Sequence, residues 1–134
     1  MGVVWLLWLA TSIMLHSLSP ANAAETRQST GRIDEQRLAG RWLRPDGGYI
    51  LELTEVTKDG TLKAVYLNPR SINVAKAVFS QKDGRLTIFV ELRDVNYPGS
   101  QYSLQYDPKT DRLIGTYFQA VLSQTFNVEF VRLK

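Results

Sequence analysis

The chain contains no cysteine, and most of its other chemically distinctive residues are confined to the first two dozen positions. The one histidine is His16, both methionines are Met1 and Met14, and two of the three tryptophans are Trp5 and Trp8. Beyond residue 23 there is no Cys, His or Met, and Trp42 is the one tryptophan. These absences exclude disulfide bracing and a cysteine-linked lipid anchor from that part of the chain. They also exclude nucleophilic catalysis of the Ser-His or Cys-His kind, and a zinc or copper site built from the usual ligands. Charge of one sign is lacking as well: 16 Lys and Arg are interspersed with 13 Asp and Glu, giving a net charge of +3. Such mixing makes a solvated surface rather than a nucleic-acid or membrane patch.

Long apolar runs are also missing. The longest, Val3–Leu15, is broken by Thr11 and Ser12 and falls short of the roughly 20 residues that a spanning helix needs. It is followed by Pro20 and by small residues around Asn22. That order reads as a secretory signal peptide over residues 1–23, cut before Ala24, although the amino terminus supplies the only positive charge ahead of the run. The expected mature protein is exported, periplasmic or secreted, with no stable membrane span after cleavage. Residues 24–32, AETRQSTGR, carry no apolar period and are read as a flexible lead; residues 33–134 form the one domain.

What that domain has is strand after strand. Apolar and polar residues alternate over Gly48–Val56, Thr61–Leu67, Arg85–Arg93, Gln101–Tyr106, Arg112–Gln119 and Gln124–Leu133, with turn residues between them. This alternation, at a period of two, is the mark of half-buried strands. Ser71–Phe79 is β-branched and apolar, but its facing is ambiguous. With AGRWL these make eight strands, and helical spacing is confined to a turn or two around Ile33–Ala39. Short turns make successive strands antiparallel neighbours, and closing the sheet removes its exposed edges. The expected fold is therefore all-β: an eight-stranded antiparallel up-and-down β-barrel with a short N-terminal helical turn. An orthogonal sandwich or a five-stranded barrel is the alternative.

The stretch Asp34-Glu-Gln-Arg-Leu-Ala-Gly40-Arg-Trp42 resembles the first sequence signature of the lipocalins. There an acidic residue, a basic one and an apolar one precede Gly-x-Trp at the start of the first strand. The opening through Asp59-Gly60-Thr61-Leu62 to Tyr66 is also similar to that of the avidins, within the same calycin superfamily. The resemblance implies that Asp34, Gly40 and Trp42 build a closed barrel end, with Arg132 from the last strand lying across the Trp42 ring. The polar contacts that avidins make to biotin would fall on Arg44 and Gly48, and the additional pocket tryptophans are missing, so biotin is not the expected ligand. Of the second lipocalin signature only Thr110-Asp111 is present.

The carboxylates offer little chemistry. Glu52 and Glu55 lie on opposite faces of one strand and cannot converge. Asp107 and Asp111, in DPKTD, are turn formers rather than a calcium loop. No enzyme, metal or cofactor is expected. Nucleic-acid binding is not expected either, because the basic residues alternate away from the aromatic faces. The candidate site is the barrel interior, where Tyr66, Tyr102, Tyr106 and Tyr117, with Gln119 near one end, would contact a small hydrophobic ligand. The alternative is a periplasmic protein-interaction or protease-inhibitor-like module with a solid core, in which the lead acts as an inserting arm. A third reading is an assembly domain using outward Phe89, Ile114, Phe118 and Val131.

Overall fold

A computed structural model describes residues 31–134. The leader and most of the expected flexible lead lie outside the described residues. The barrel begins at Ile33, whose amide N–H donates to the Gln81 Oε1 at 2.7 Å and whose carbonyl accepts from Gln81 Nε2 at the same distance. A single turn of 3-10 helix follows, η1 (Glu35–Leu38), capped by Asp34, whose carboxylate accepts the Gln36 N–H. An acidic cap of this kind satisfies a backbone donor that the turn leaves free.

Nine strands succeed it: β1 (Gly40–Arg44), β2 (Tyr49–Thr54), β3 (Lys63–Asn68), β4 (Arg70–Ile72), β5 (Val74–Lys82), β6 (Arg85–Asp94), β7 (Tyr97–Asp107), β8 (Arg112–Gln119) and β9 (Gln124–Arg132). All pairs are antiparallel, in the order β4-β3-β2-β1-β9-β8-β7-β6-β5. The two ends of that order, β4 and β5, are consecutive in the chain with only Asn73 between them. The sheet thus closes nearly on itself into an up-and-down barrel.

The ninth strand is the expected Ser71–Phe79 strand divided in two. Its first part pairs with β3 and the remainder with β6. Asn73 fixes the corner: its N–H donates to Asp94 at 2.9 Å, its side-chain amide donates to the Arg93 carbonyl, and its own carbonyl accepts the Arg93 N–H. Further along, the Phe79 N–H donates to the Gly60 carbonyl at 2.8 Å and closes the seam. The ambiguous facing of this segment has a cause. A bulge between Val74 and Lys76 shifts the pleat by one residue, so Ile72 and Phe79 are both buried at an odd spacing. One extra residue reverses the inward parity of everything after it.

A second bulge lies between Leu92 and Arg93, opposite Pro98 and the left-handed Gly99 (φ +97°). It brings residues 97–100, read from the sequence as turn between the Arg85–Arg93 and Gln101–Tyr106 strands, into the start of β7, at a position where proline costs no ladder bond. The Asp83-Gly84 turn has both residues at positive φ, the geometry favoured by a two-residue hairpin. Gly115 is required for another reason: a Cβ there would meet the Ser103 carbonyl oxygen at 2.0 Å. It lets β7 and β8 approach rather than leaving room for a ligand.

The inward faces form one buried cluster. It holds Trp42, Leu51, Leu53, Tyr66, Leu86, Val90, Tyr102, Tyr106, Leu113 and Phe130 among others, joined by Leu38 and Leu92. Among the described residues no helix is long and apolar enough to cross a membrane.

Candidate ligand site at the barrel mouth

Strand direction divides the functional candidates between two ends. β1 runs from Gly40 at one end to Arg44 at the other, and β9 returns from Gln124 to Arg132. Trp42 and Arg132 are cross-strand partners, and the Arg132 guanidinium carbon lies 4.1 Å from the Trp42 ring centroid. The indole N–H donates to the Leu38 carbonyl at 2.9 Å. Arg132 donates to the Ala39 carbonyl at 2.9 Å and the Arg37 carbonyl at 2.6 Å, holding η1 over the barrel. A guanidinium on an indole gains about 0.5–2 kcal/mol, and its planar fork suits several acceptors at once. Gly40, at φ +135°, leaves the space Arg132 needs, since a Cβ would meet its Nη1 at 2.7 Å.

Asp111 completes this end. Its two carboxylate oxygens accept from Arg132 at 2.7 and 3.0 Å, and Oδ1 also accepts the Tyr106 hydroxyl at 3.0 Å. The Arg132 hydrogen bonds hold the Asp111 carboxyl below the usual carboxylate range. Asp107 is a turn former: it accepts the Lys109 N–H and the Thr110 hydroxyl. Among the described residues no cluster of three or more His, Cys, Asp or Glu could hold a metal ion.

The other end is open. A cavity of about 300 Å³ is lined by Arg44, Tyr49, Tyr66, Asn68, Asn96, Tyr97, Tyr117, Gln119 and Phe126. Its floor is a connected aromatic set. Tyr102 stacks on Tyr117 with centroids 4.5 Å apart, and its hydroxyl lies 2.8 Å from that of Tyr66. Tyr66 in turn packs against Tyr49 and Tyr97, and the Asn68 amide donates to the Tyr97 hydroxyl. Burial pushes the Tyr102 phenol up to about 12, and pushes Tyr66 higher still, so both are neutral donors and acceptors at physiological pH.

Arg44 is the charge in this cavity, and it is only 9% exposed. Its guanidinium lies over Tyr49 and Tyr117, 4.9 and 5.3 Å from their centroids. It donates to the Tyr102 hydroxyl at 3.1 Å and, through Nε and Nη2, to the Asp46 carboxylate at 2.7 and 2.8 Å. Burial alone would make Arg44 easier to deprotonate, but the Asp46 and Tyr102 hydrogen bonds outweigh it and keep the cation above its ordinary range.

Of the expected ligand residues, Tyr66, Tyr117 and Gln119 line this cavity, and Tyr102 lies directly beneath it. Tyr106 belongs to the closed end, where its ring meets Trp42 edge-on at 6.2 Å. The structure therefore does not bring the four tyrosines into one site. Tyr49 and Tyr97 were not expected there, and Arg44 was named only as a position at which avidins contact biotin. The signal for Arg44 was present: it stands two residues after Trp42 in one strand and so shares its face. Tyr49 is the cross-strand partner of Arg44.

Comparison of the chain with protein-family models, curated proteins and solved structures finds no match.

Proposed function

We propose that this chain is an exported, non-enzymatic binding protein of the calycin type that holds one small ligand at the barrel mouth. The observation that carries this reading is the 300 Å³ cavity above the Tyr66–Tyr102 floor. Concave sites with aromatic walls and a few convergent polar groups are the usual form of small-ligand pockets. The stacking of Arg132 on Trp42 supports the calycin assignment. The expected apolar ligand becomes an amphipathic one, since the wall mixes aromatic rings with one guanidinium and the amides of Asn68, Asn96 and Gln119.

Native mass spectrometry of gently purified protein tests the reading, together with titration of a fluorescent apolar probe against wild type and Gln119→Trp. A co-purifying mass, and probe binding that the mouth-filling indole abolishes, are expected. A chain that is always empty, or whose probe binding ignores Gln119→Trp, overturns it.

A second reading draws on the mouth rim. Val95, Val121, Leu122 and Phe126 are exposed, and all lie in or beside the loops of the open end. Such residues suit a protein-interaction module that contacts its partner through this end. Pull-down by wild type but not by a Val121→Ser, Leu122→Ser variant would favour it.

A further inference from the structure

Arg44 is an unusual group to bury beside a cavity. Guanidinium carries five N–H donors, and the described residues take three of them: two by Asp46 and one by Tyr102. One N–H on each terminal nitrogen is left without a protein partner. A cation this buried requires an anion nearby, and here that anion is Asp46.

The attachment of Asp46 differs from that of Arg44. The Asp46 side chain is 58% exposed, whereas that of Arg44 is 11% exposed. Asp46 sits in the β1–β2 turn, Pro45–Asp46–Gly47–Gly48, where Gly48 holds φ +71°. Two backbone bonds hold the turn, from the Gly47 and Gly48 N–H groups to the Arg44 carbonyl at 3.4 and 2.9 Å. Neither involves the Asp46 side chain, so its carboxylate can swing into water while the turn stays closed. Arg44 cannot follow, because Tyr49, Tyr102 and Tyr117 hold it from three strands.

We propose that Asp46 is a tethered placeholder for the anionic group of the ligand. A small organic carboxylate entering the mouth takes Arg44 from Asp46, with its body against Tyr49 and Tyr117, and the displaced Asp46 carboxylate is released to solvent. No covalent step is involved; one charge-assisted fork replaces another. Asp46 thereby sets a threshold: it competes at high local concentration with every anion, and only a ligand that also fills the aromatic wall displaces it. This inference rests on the mouth being a ligand site.

The test pairs acids with their neutral amides: acetate with acetamide, benzoate with benzamide, and cinnamate with cinnamamide. Each is titrated by NMR into wild type, Asp46→Asn and Asp94→Asn. The last removes a carboxylate at the same end that pairs with Arg70 rather than Arg44. Benzoate and cinnamate are expected to bind at least about tenfold more tightly than their amides, since a charged fork is worth more than a neutral one, whereas acetate, which cannot fill the aromatic wall, should bind wild type no better than acetamide. Asp46→Asn is expected to tighten the acids about fivefold or more and leave the amides within about twofold, because the competitor for Arg44 is gone. Asp94→Asn should leave both series unchanged. Aromatic acids and amides that bind alike, or an Asp46→Asn effect matched by Asp94→Asn, would overturn the placeholder and leave the mouth as a neutral site. If no acid or amide binds while Trp42 emission reports an intact barrel, the mouth reading falls with it.

Discussion

The two ends of the barrel carry the same group of parts in opposite settings. At each, a strand arginine lies over an aromatic ring, chelates an aspartate through two nitrogens and is linked to a buried tyrosine hydroxyl. At the closed end the parts are Arg132, Trp42, Asp111 and Tyr106; at the mouth they are Arg44, Tyr49 with Tyr117, Asp46 and Tyr102. At the closed end the remaining donors of the arginine meet the carbonyls of Arg37 and Ala39, so a helical turn covers it. At the mouth no segment among the described residues takes that place, and a cavity stands there instead. The same chemistry seals one end of the barrel and borders a cavity at the other.

The contrast predicts unequal costs. Trp42→Ala should destabilise the fold most, by about 3–5 kcal/mol, as expected for a large side chain deleted from a core. Tyr117→Ala, beside an already open cavity, should cost roughly half as much. Chemical denaturation read by circular dichroism checks both, and equal losses would break the distinction between the ends. Next, Arg132→Met should cost about 2 kcal/mol, because it leaves Asp111 and two carbonyls of the closing turn without their donor. Arg44→Met should cost about 1 kcal/mol and remove ligand binding instead. Losses in the reverse order would make the mouth the structural end.

Asp111→Asn should cost about 1 kcal/mol at neutral pH, a modest figure because the carboxylate is partly solvated. Since folding lowers the Asp111 pKa, its contribution is fully present above the unfolded value of about 3.9 and is lost as pH falls through the lower folded value. Wild type and Asp111→Asn should therefore differ by a constant amount above about pH 5 and converge at more acid pH, measured by denaturation across that range. Asp46→Asn should cost about 1 kcal/mol as well: the Asp46 carboxylate is largely solvated, but its loss leaves the buried Arg44 cation without its anion.

Much of this plan was legible in the residues. Period-two alternation marked the strands, and the lipocalin resemblance carried by Gly40-x-Trp42 pointed to Arg132 for the closed end, where the two side chains are found together. The ninth strand was not legible. The bulge at Val74–Lys76 interrupts the parity on which the reading depends, and nothing local announces it. The early start of β7 was hidden in the same way, by Pro98 and Gly99 in a bulge. The site was half legible. Tyr66, Tyr117 and Gln119 are at the mouth, but height along the barrel separates Tyr106 from them, and parity specifies a face rather than a height. Arg44 entered only as a residue unlike the avidin biotin contacts; its own part in the site was not legible, because a charged residue in a strand is ordinarily assigned to the solvent face, whereas here Tyr102 and Asp46 provide for its burial. The role of Asp111 as the Arg132 partner depends on β8 beginning beside the end of β9, a pairing that only the register supplies.

Ligand binding is proposed for the Arg44 end and fold closure for the Trp42 end. The direct measurement is a chemical-shift map of ¹⁵N-labelled protein titrated with benzoate, following backbone amides, the arginine Nε–H groups and the Trp42 indole. The account predicts saturable shifts at Arg44 Nε–H and at the amides of Tyr49, Tyr117 and Gln119, with the Trp42 indole and Arg132 Nε–H unmoved. Shifts centred on Trp42 and Arg132, with the mouth silent, would contradict it.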